Sequence, residues 1–359
     1  MREESAGGEG RVLVVEAALR ECCEGILHAL GVAPEDAAQT VDVFLQAELM
    51  GEESHGLRLF LKVVARLEAG GDQTAAAIDV VMDRGAVALW DANRSIGQVT
   101  AARAMRRAVE KAREQGIGFV AVRNGNSFTS AKYYPLIAAQ SGMIGCAFTN
   151  TSRKLMPPPG GITPVLGNNP VAYAAPAGRH GTFVLDMACT AAAVERIVQA
   201  RERGEQIPPG WALDRDGNET RDPAKALEAL SLLPFGGYKA FNLAAMHEIL
   251  TSVLSGGLLL AGDATGFEPY DRPMNTSFTM LAVDISAFRP LAEFERAMES
   301  MIDKIKSARP AANSSGIFFP GERSLAERAR RSRNGIPLAR WTFDRLDEMA
   351  EQKGLRRLG

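Results

Sequence analysis

The sequence predicts a mixed α/β fold, with a largely antiparallel central sheet and a flanking helical sub-domain. Three observations carry that expectation. Strand-like and helix-like segments follow one another irregularly, not as strict βα units, which disfavours a doubly wound sheet. Helical periodicity dominates both ends, so residues 11–72 and 307–359 are read as one helical sub-domain beside an α/β unit over 73–306. No Gly-x-Gly-x-x-Gly turn follows a strand, which points away from a Rossmann sheet. Residues 1–10 are polar and Gly-rich and read as a disordered tail.

Each element has a local reason. Residues 11–70 read as helical, with apolar side chains at three- and four-residue spacings over 14–30. Gly31 stops that run, and Pro34, Glu35 and Asp36 open a second helix. A third runs from Leu57 to the Gly70-Gly71 stop. Residues 77–91 read as two short strands around an Asp83-Arg84-Gly85 turn. A helix over 98–116, a strand over 118–124, a helix over 133–142 and a strand over 143–150 follow. Residues 170–178 and 182–188 are two further strands, and 190–204 is a helix. Residues 205–224 are polar with little periodicity. A long helix over 237–257, a strand over 276–285 and a helix over 290–308 come next. The chain closes with a short strand at 316–320, a basic helix over 322–333 and a last helix over 342–351.

Composition narrows the function classes. The 41 Lys and Arg against 43 Asp and Glu leave a net charge of −2, with no electrostatic footprint for nucleic acid or anionic membrane. No run of 18 apolar residues exists, and the N-terminus lacks the apolar core of a secretory signal, so a cytoplasmic location is expected. Cys22, Cys23, Cys146 and Cys189 are too scattered for a disulfide framework, and four histidines are too few for a histidine-built metal site. Phosphate-loop, zinc-protease, nucleophile-elbow and kinase patterns are all missing.

Several short segments, taken in order, resemble one family. They are Ser54-His55-Gly56-Leu57-Arg58, Gly160-Gly161, Leu166-Gly167-Asn168-Asn169-Pro170 and Leu185-Asp186-Met187-Ala188. They continue with Ile207-Pro208-Pro209-Gly210-Trp211, Asp222-Pro223, Pro234-Phe235-Gly236-Gly237-Tyr238-Lys239 and Phe319-Pro320-Gly321-Glu322. The set is similar to the malate/L-lactate dehydrogenase-like oxidoreductases, which include sulfolactate and ureidoglycolate dehydrogenases and piperideine-2-carboxylate reductases. The resemblance spans about residues 15–350. It implies a non-Rossmann site for NADH or NADPH, a homodimer, and reduction of a 2-oxo acid or a cyclic or 2-imino acid.

Hydride transfer to such a substrate needs a positioned nicotinamide, a proton donor and partners for the carboxylate. The resemblance implies that His55 of the Ser-His-Gly motif is the proton donor, and flanking Glu52 and Glu53 are able to hold its imidazole charged. The alternative is a loop histidine capping a helix. Ser54, Arg58 and Asn126 are candidate substrate contacts, although Ser54 also reads as an N-cap and Arg58 as a solvated charge. Asp186, at the end of an apolar strand, reads as a cofactor contact or as a helix cap, with Met187 and Ala188 beside it. Lys239 follows two glycines at a helix start, where backbone and dipole favour anions. Thr151, His180, Gly321, Glu322 and Arg323 complete the cofactor candidates; no metal site is expected.

The departures from the family pattern bear on mechanism. Ser127 stands where several members carry a catalytic His, and Thr129 stands where the family has Gly. A hydroxyl positions or relays a proton but is too weak a base to act unaided. Cys189-Thr190, Glu195, Asn168, Ala240 and Asn242 also differ from the usual residues. The leading expectation is a reductase of specialised biosynthesis; imine reduction tolerates Ser127 best, because a protonated imine is already electrophilic. A non-redox isomerase, cyclase or lyase, or an inactive binding subunit, are the alternatives.

Overall fold

The computed structural model describes residues 10–262 and 266–358. Strand β1 (Arg11–Val14) leads into helices α1 (Glu16–Ala29), α2 (Pro34–Leu49) and α3 (Leu57–Ala69). The hairpin β2 (Asp79–Arg84) and β3 (Val87–Asp91) precedes α4 (Gly97–Gln115), β4 (Ile117–Gly125), α5 (Tyr133–Gln140) and β5 (Met143–Thr149). Strands β6 (Val171–Pro176) and β7 (Thr182–Met187) are followed by α6 (Val194–Glu202). A small unit contains β8 (Ala212–Leu213), β9 (Glu219–Thr220), α7 (Pro223–Ala229) and β10 (Ser231–Leu232). Helix α8 (Tyr238–Glu248) runs on through a π-helical turn at Ile249–Val253, before β11 (Thr276–Asp284) and α9 (Leu291–Lys306). Helix α10 (Glu322–Asn334), β12 (Ile336–Ala339) and α11 (Arg340–Gln352) end the fold.

The expected central sheet is present. Seven strands lie in the order β2-β3-β4-β11-β5-β6-β7, and every pairing is antiparallel except β3 with β4. Helices α4 and α5 cover it, and Val120, Val122, Phe128, Tyr134, Phe278 and Met280 form the core between them. A second core joins the chain ends: Leu19, Ile26, Phe44, Phe60 and Val64 pack with Ile336, Phe343 and Leu346. Apolar residues at i, i+3, i+4 and i+7 of α3, from Leu57 to Val64, face that core, and Gly70 ends the helix at φ 78°.

Four expectations need correction. Residues 11–14 are not helical: β1 pairs antiparallel with β12, Arg11 opposite Ala339. That partner lies over 300 residues away, so helical periodicity nearby outweighed it on the page. Residues 316–320 form no strand; Pro320 only accepts one hydrogen bond, at 3.2 Å, from the Val184 N–H on the edge of β7. The region 205–224 contains β8 and β9 of a three-stranded sheet with β10. Helix α6 is shorter than the expected 190–204. Residues 1–9 of the expected tail lie outside the described residues.

Candidate active site

The turn carrying His55 is held from below by a buried acid. Glu48, near the end of α2, accepts the Leu57 N–H at 2.8 Å and so caps α3. Burial pushes its carboxyl up to about 7. Gly56 lies directly against it, and a Cβ there would collide with Glu48 Oε1. This contact explains the Gly of the Ser-His-Gly motif.

The two acids flanking His55 point to different partners. Glu53 accepts from Arg11 at 3.0 Å and from Arg331 at 3.3 Å. Glu52 meets Lys132 Nζ at 2.6 Å and accepts the Ser130 hydroxyl at 2.8 Å. The second pair is largely buried, with the Lys132 side chain 5% exposed. Both acids are therefore compensated. Contrary to the sequence expectation, the His55 imidazole lies below its usual pKa: enclosure by protein dominates, Glu52 opposes it and Lys132 adds to it. Ser54 Oγ lies 3.0 Å from His55 Nδ1, which orients the ring.

Strand β7 brings Asp186 to the same charges. It lies on the open edge of the sheet, and Asp186 Oδ2 accepts the Lys132 N–H at 3.1 Å. Burial by the surrounding protein pushes its carboxyl up to about 7; Glu52 raises it further and Lys132 lowers it. Both Asp186 and His55 nevertheless keep exposed surface. Groups enclosed by protein mass yet open to solvent are what the walls of a cleft present.

A cleft of about 370 Å³ opens beside His55, lined also by Leu59, Lys62, Ser127, Thr151, Arg153 and Thr276. Ser127 Oγ accepts the Thr129 N–H at 3.3 Å, leaving its own O–H to donate. Thr129 sits at φ 63°, a left-handed conformation that is costly for a β-branched residue. Thr151 Oγ1 and Thr276 Oγ1 are buried without a partner among the described residues. Two unmatched hydroxyls in one cleft wall suit a ligand with amide or hydroxyl groups. A larger open depression elsewhere is lined by Arg20, Arg103 and Arg107 and by acids, but those arginines are already paired with carboxylates.

The remaining candidates divide. Arg58 pairs with Glu195 at 2.8 Å and does not line the cleft. Asn126 is buried and serves the scaffold: it donates to Arg94 O at 2.8 Å and accepts from Met274 N at 3.3 Å. Lys62 and Arg153 are the cations that line the cleft instead. Leu59 and Lys62, three residues apart on one face of α3, were the signal for that wall. Met187 and Ala188 are half-buried beside Asp186, and Lys239 is exposed and unpaired among the described residues. His180 lies beyond the other end of β7, 2.9 Å from Asp303 Oδ1. Glu322 joins Lys306 and caps Phe319, and Arg323 stacks 4.2 Å over Phe318. Gly321, at φ 92°, has no room for a side chain, since a Cβ there would lie 2.9 Å from Val184 of β7.

A mostly antiparallel sheet, a cleft that carries His55, and no Gly-x-Gly-x-x-Gly turn in the sequence set this chain apart from Rossmann-type dehydrogenases. The chain belongs to the malate/L-lactate dehydrogenase family, whose model matches residues 14–347. A malate dehydrogenase of Pyrococcus abyssi is 37% identical over 340 residues, 93% of this chain and 92% of that one. The structure of sulfolactate dehydrogenase from Methanocaldococcus jannaschii superposes with TM-score 0.90 at 34% identity, covering 96% and 98%. That of delta1-piperideine-2-carboxylate reductase from Pseudomonas syringae gives 0.85 at 26%, covering 94% and 100%. The chain is accordingly an enzyme of the nicotinamide-dependent dehydrogenase class.

Proposed function

We propose that the chain reduces a 2-oxo acid or a cyclic or 2-imino acid with NADH or NADPH, His55 delivering the proton. The observation that carries this reading is the convergence of His55, Lys132, Glu52 and Asp186 beside a cleft with two unmatched hydroxyls. When bound, the nicotinamide supplies the hydride to the substrate carbon. Thr151, Thr276, Asp186 and Lys239 are the residues suited to hold it, together with Met187 and Ala188. Arg153 is available to a substrate carboxylate, and Lys62, which lies 3.9 Å from Glu268, lines the same cleft. That carboxylate adds negative charge near the ring, which raises His55 toward the charged form. His55 then gives its proton to the carbonyl oxygen as it becomes an alcohol, or to the imine nitrogen as it becomes an amine.

Ser127 offers a hydroxyl where several family members carry His, which favours a substrate that is already electrophilic. The likeness to a piperideine-2-carboxylate reductase supports imines as the first compounds to screen. A homodimer is part of the proposal, supported by the exposed Tyr238, Met246, Ile249, Val253 and Leu254 along α8 and its extension. A reducing, cytoplasmic setting is also proposed; the four cysteines are free thiols.

The test is a panel of 2-oxo acids and cyclic imines, read as nicotinamide oxidation. Wild type should turn over at least one, and His55→Ala should lower kcat by about 10²–10⁴. Ser127→His should raise ketone turnover relative to imine turnover. Full activity in His55→Ala would remove it from the proton role.

A further inference from the structure

The catalytic turn and the edge strand meet through one buried ion pair. Glu52 belongs to the His55 turn and Lys132 opens α5, 80 residues later. One Glu52 oxygen takes Lys132 Nζ at 2.6 Å and the other takes the Ser130 hydroxyl at 2.8 Å. The backbone N–H of the same Lys132 is bonded to Asp186. Lys132 thus touches both sides of the site, with its side chain on the His55 turn and its main chain on β7. Its side chain is not among those that line the cleft.

We propose that the Lys132–Glu52 pair is a positioning pair, which locks the His55 turn to β7 and balances the charge between His55 and Asp186. This inference deepens the reductase reading and rests on it for its purpose. The other charged groups around the ring do not duplicate the pair. Glu48 is buried under Gly56, Glu53 is held by Arg11 and Arg331, and Lys62 of α3 lies 3.9 Å from Glu268 across the cleft. The two members of the pair act on His55 with opposite signs. Removing one charge should therefore move the imidazole one way, and removing the other should move it back. A role in packing alone has no such sign.

The experiment follows the imidazole titrations by NMR in histidine-labelled full-length protein. Only four histidines are present, and His55→Gln assigns the signal. We expect Glu52→Gln to lower the His55 midpoint and Lys132→Met to raise it, each by about half a pH unit or more. The double variant should lie near wild type, and Lys132→Arg should restore it. Where Lys132→Met does not fold, Glu52→Gln against the double variant reads the same compensation. Single variants that leave His55 unmoved, or move it in one common direction, would overturn the proposal. The readout needs no turnover, so a failure of the reductase reading shows separately, as absent dinucleotide binding in wild type.

Discussion

The two ends of β7 handle charge in opposite ways. At the Asp186 end, Glu52 and Lys132 form a buried pair, a carboxyl is raised to about 7, an imidazole is depressed, and two threonine hydroxyls in the adjoining cleft are unmatched. At the other end, Arg179, His180, Glu299 and Asp303 pair with one another on the surface, and Lys306 joins Glu322. There the pairing lowers Glu322 and Asp303, the ordinary outcome for carboxylates beside cations. One end holds polar capacity that its own fold does not use. The other satisfies itself. The proposed chemistry is placed at the first end for that reason, and the second is given the role of a scaffold.

The comparison can be broken by changing each end. The largest structural effect should come from the cleft side. Arg66 is fully buried, bonds Asp72 at 2.7 Å, and donates to the carbonyls of Phe267 and Arg272 at 2.8 Å each. It holds the loop that closes one wall of the cleft. Arg66→Met removes the hydrogen-bonded cation of buried Asp72 and leaves only the more distant charge of Arg94, and urea unfolding should show a loss of about 3–5 kcal/mol. A loss under about 1 kcal/mol would mean the loop is held by other contacts.

The second effect is a pH dependence. Asp186 has a pKa of about 7 in the fold against 3.8 ordinarily. The native state then holds a proton that the unfolded chain has already lost, so this group's contribution falls as pH rises from about 4 to 7. Asp186→Asn removes that slope. Melting curves should show the variant gaining on wild type between pH 5 and pH 8; an equal difference at both would contradict the raised carboxyl.

The third effect is smaller. Thr129 occupies a left-handed conformation that Gly adopts freely, so Thr129→Gly should stabilise the protein by about 1 kcal/mol in the same unfolding assay. The smallest belongs to the exposed end: Asp303→Asn should leave the urea midpoint almost unchanged and any dinucleotide affinity within a few-fold. A large loss of affinity there would move part of the binding site to the far end of β7.

Much of the fold was legible because its signals are local. The 77–91 hairpin, the glycine stops and the apolar strands of the central sheet all follow from adjacent residues. What was illegible depends on distance. The pairing of β1 with β12 and the bonds from Arg331 to the Glu48 carbonyl and to Glu53 join segments that no window covers. The site shows the same division. His55 and Asp186 stand in recognisable motifs, but Lys132 sits in an unremarkable run and gains its role only through Glu52. The charge of His55 was misjudged for a related reason. Sequence shows two flanking acids, whereas the fold gives each acid its own cation.

The most direct test of the central claim is a titration of the folded protein with NADH and with NADPH, followed by nicotinamide fluorescence. The account predicts saturable binding of one of them with Kd in the micromolar range, weakened by Asp186→Asn and unaffected by Asp303→Asn. No binding of either dinucleotide up to millimolar concentration would contradict it.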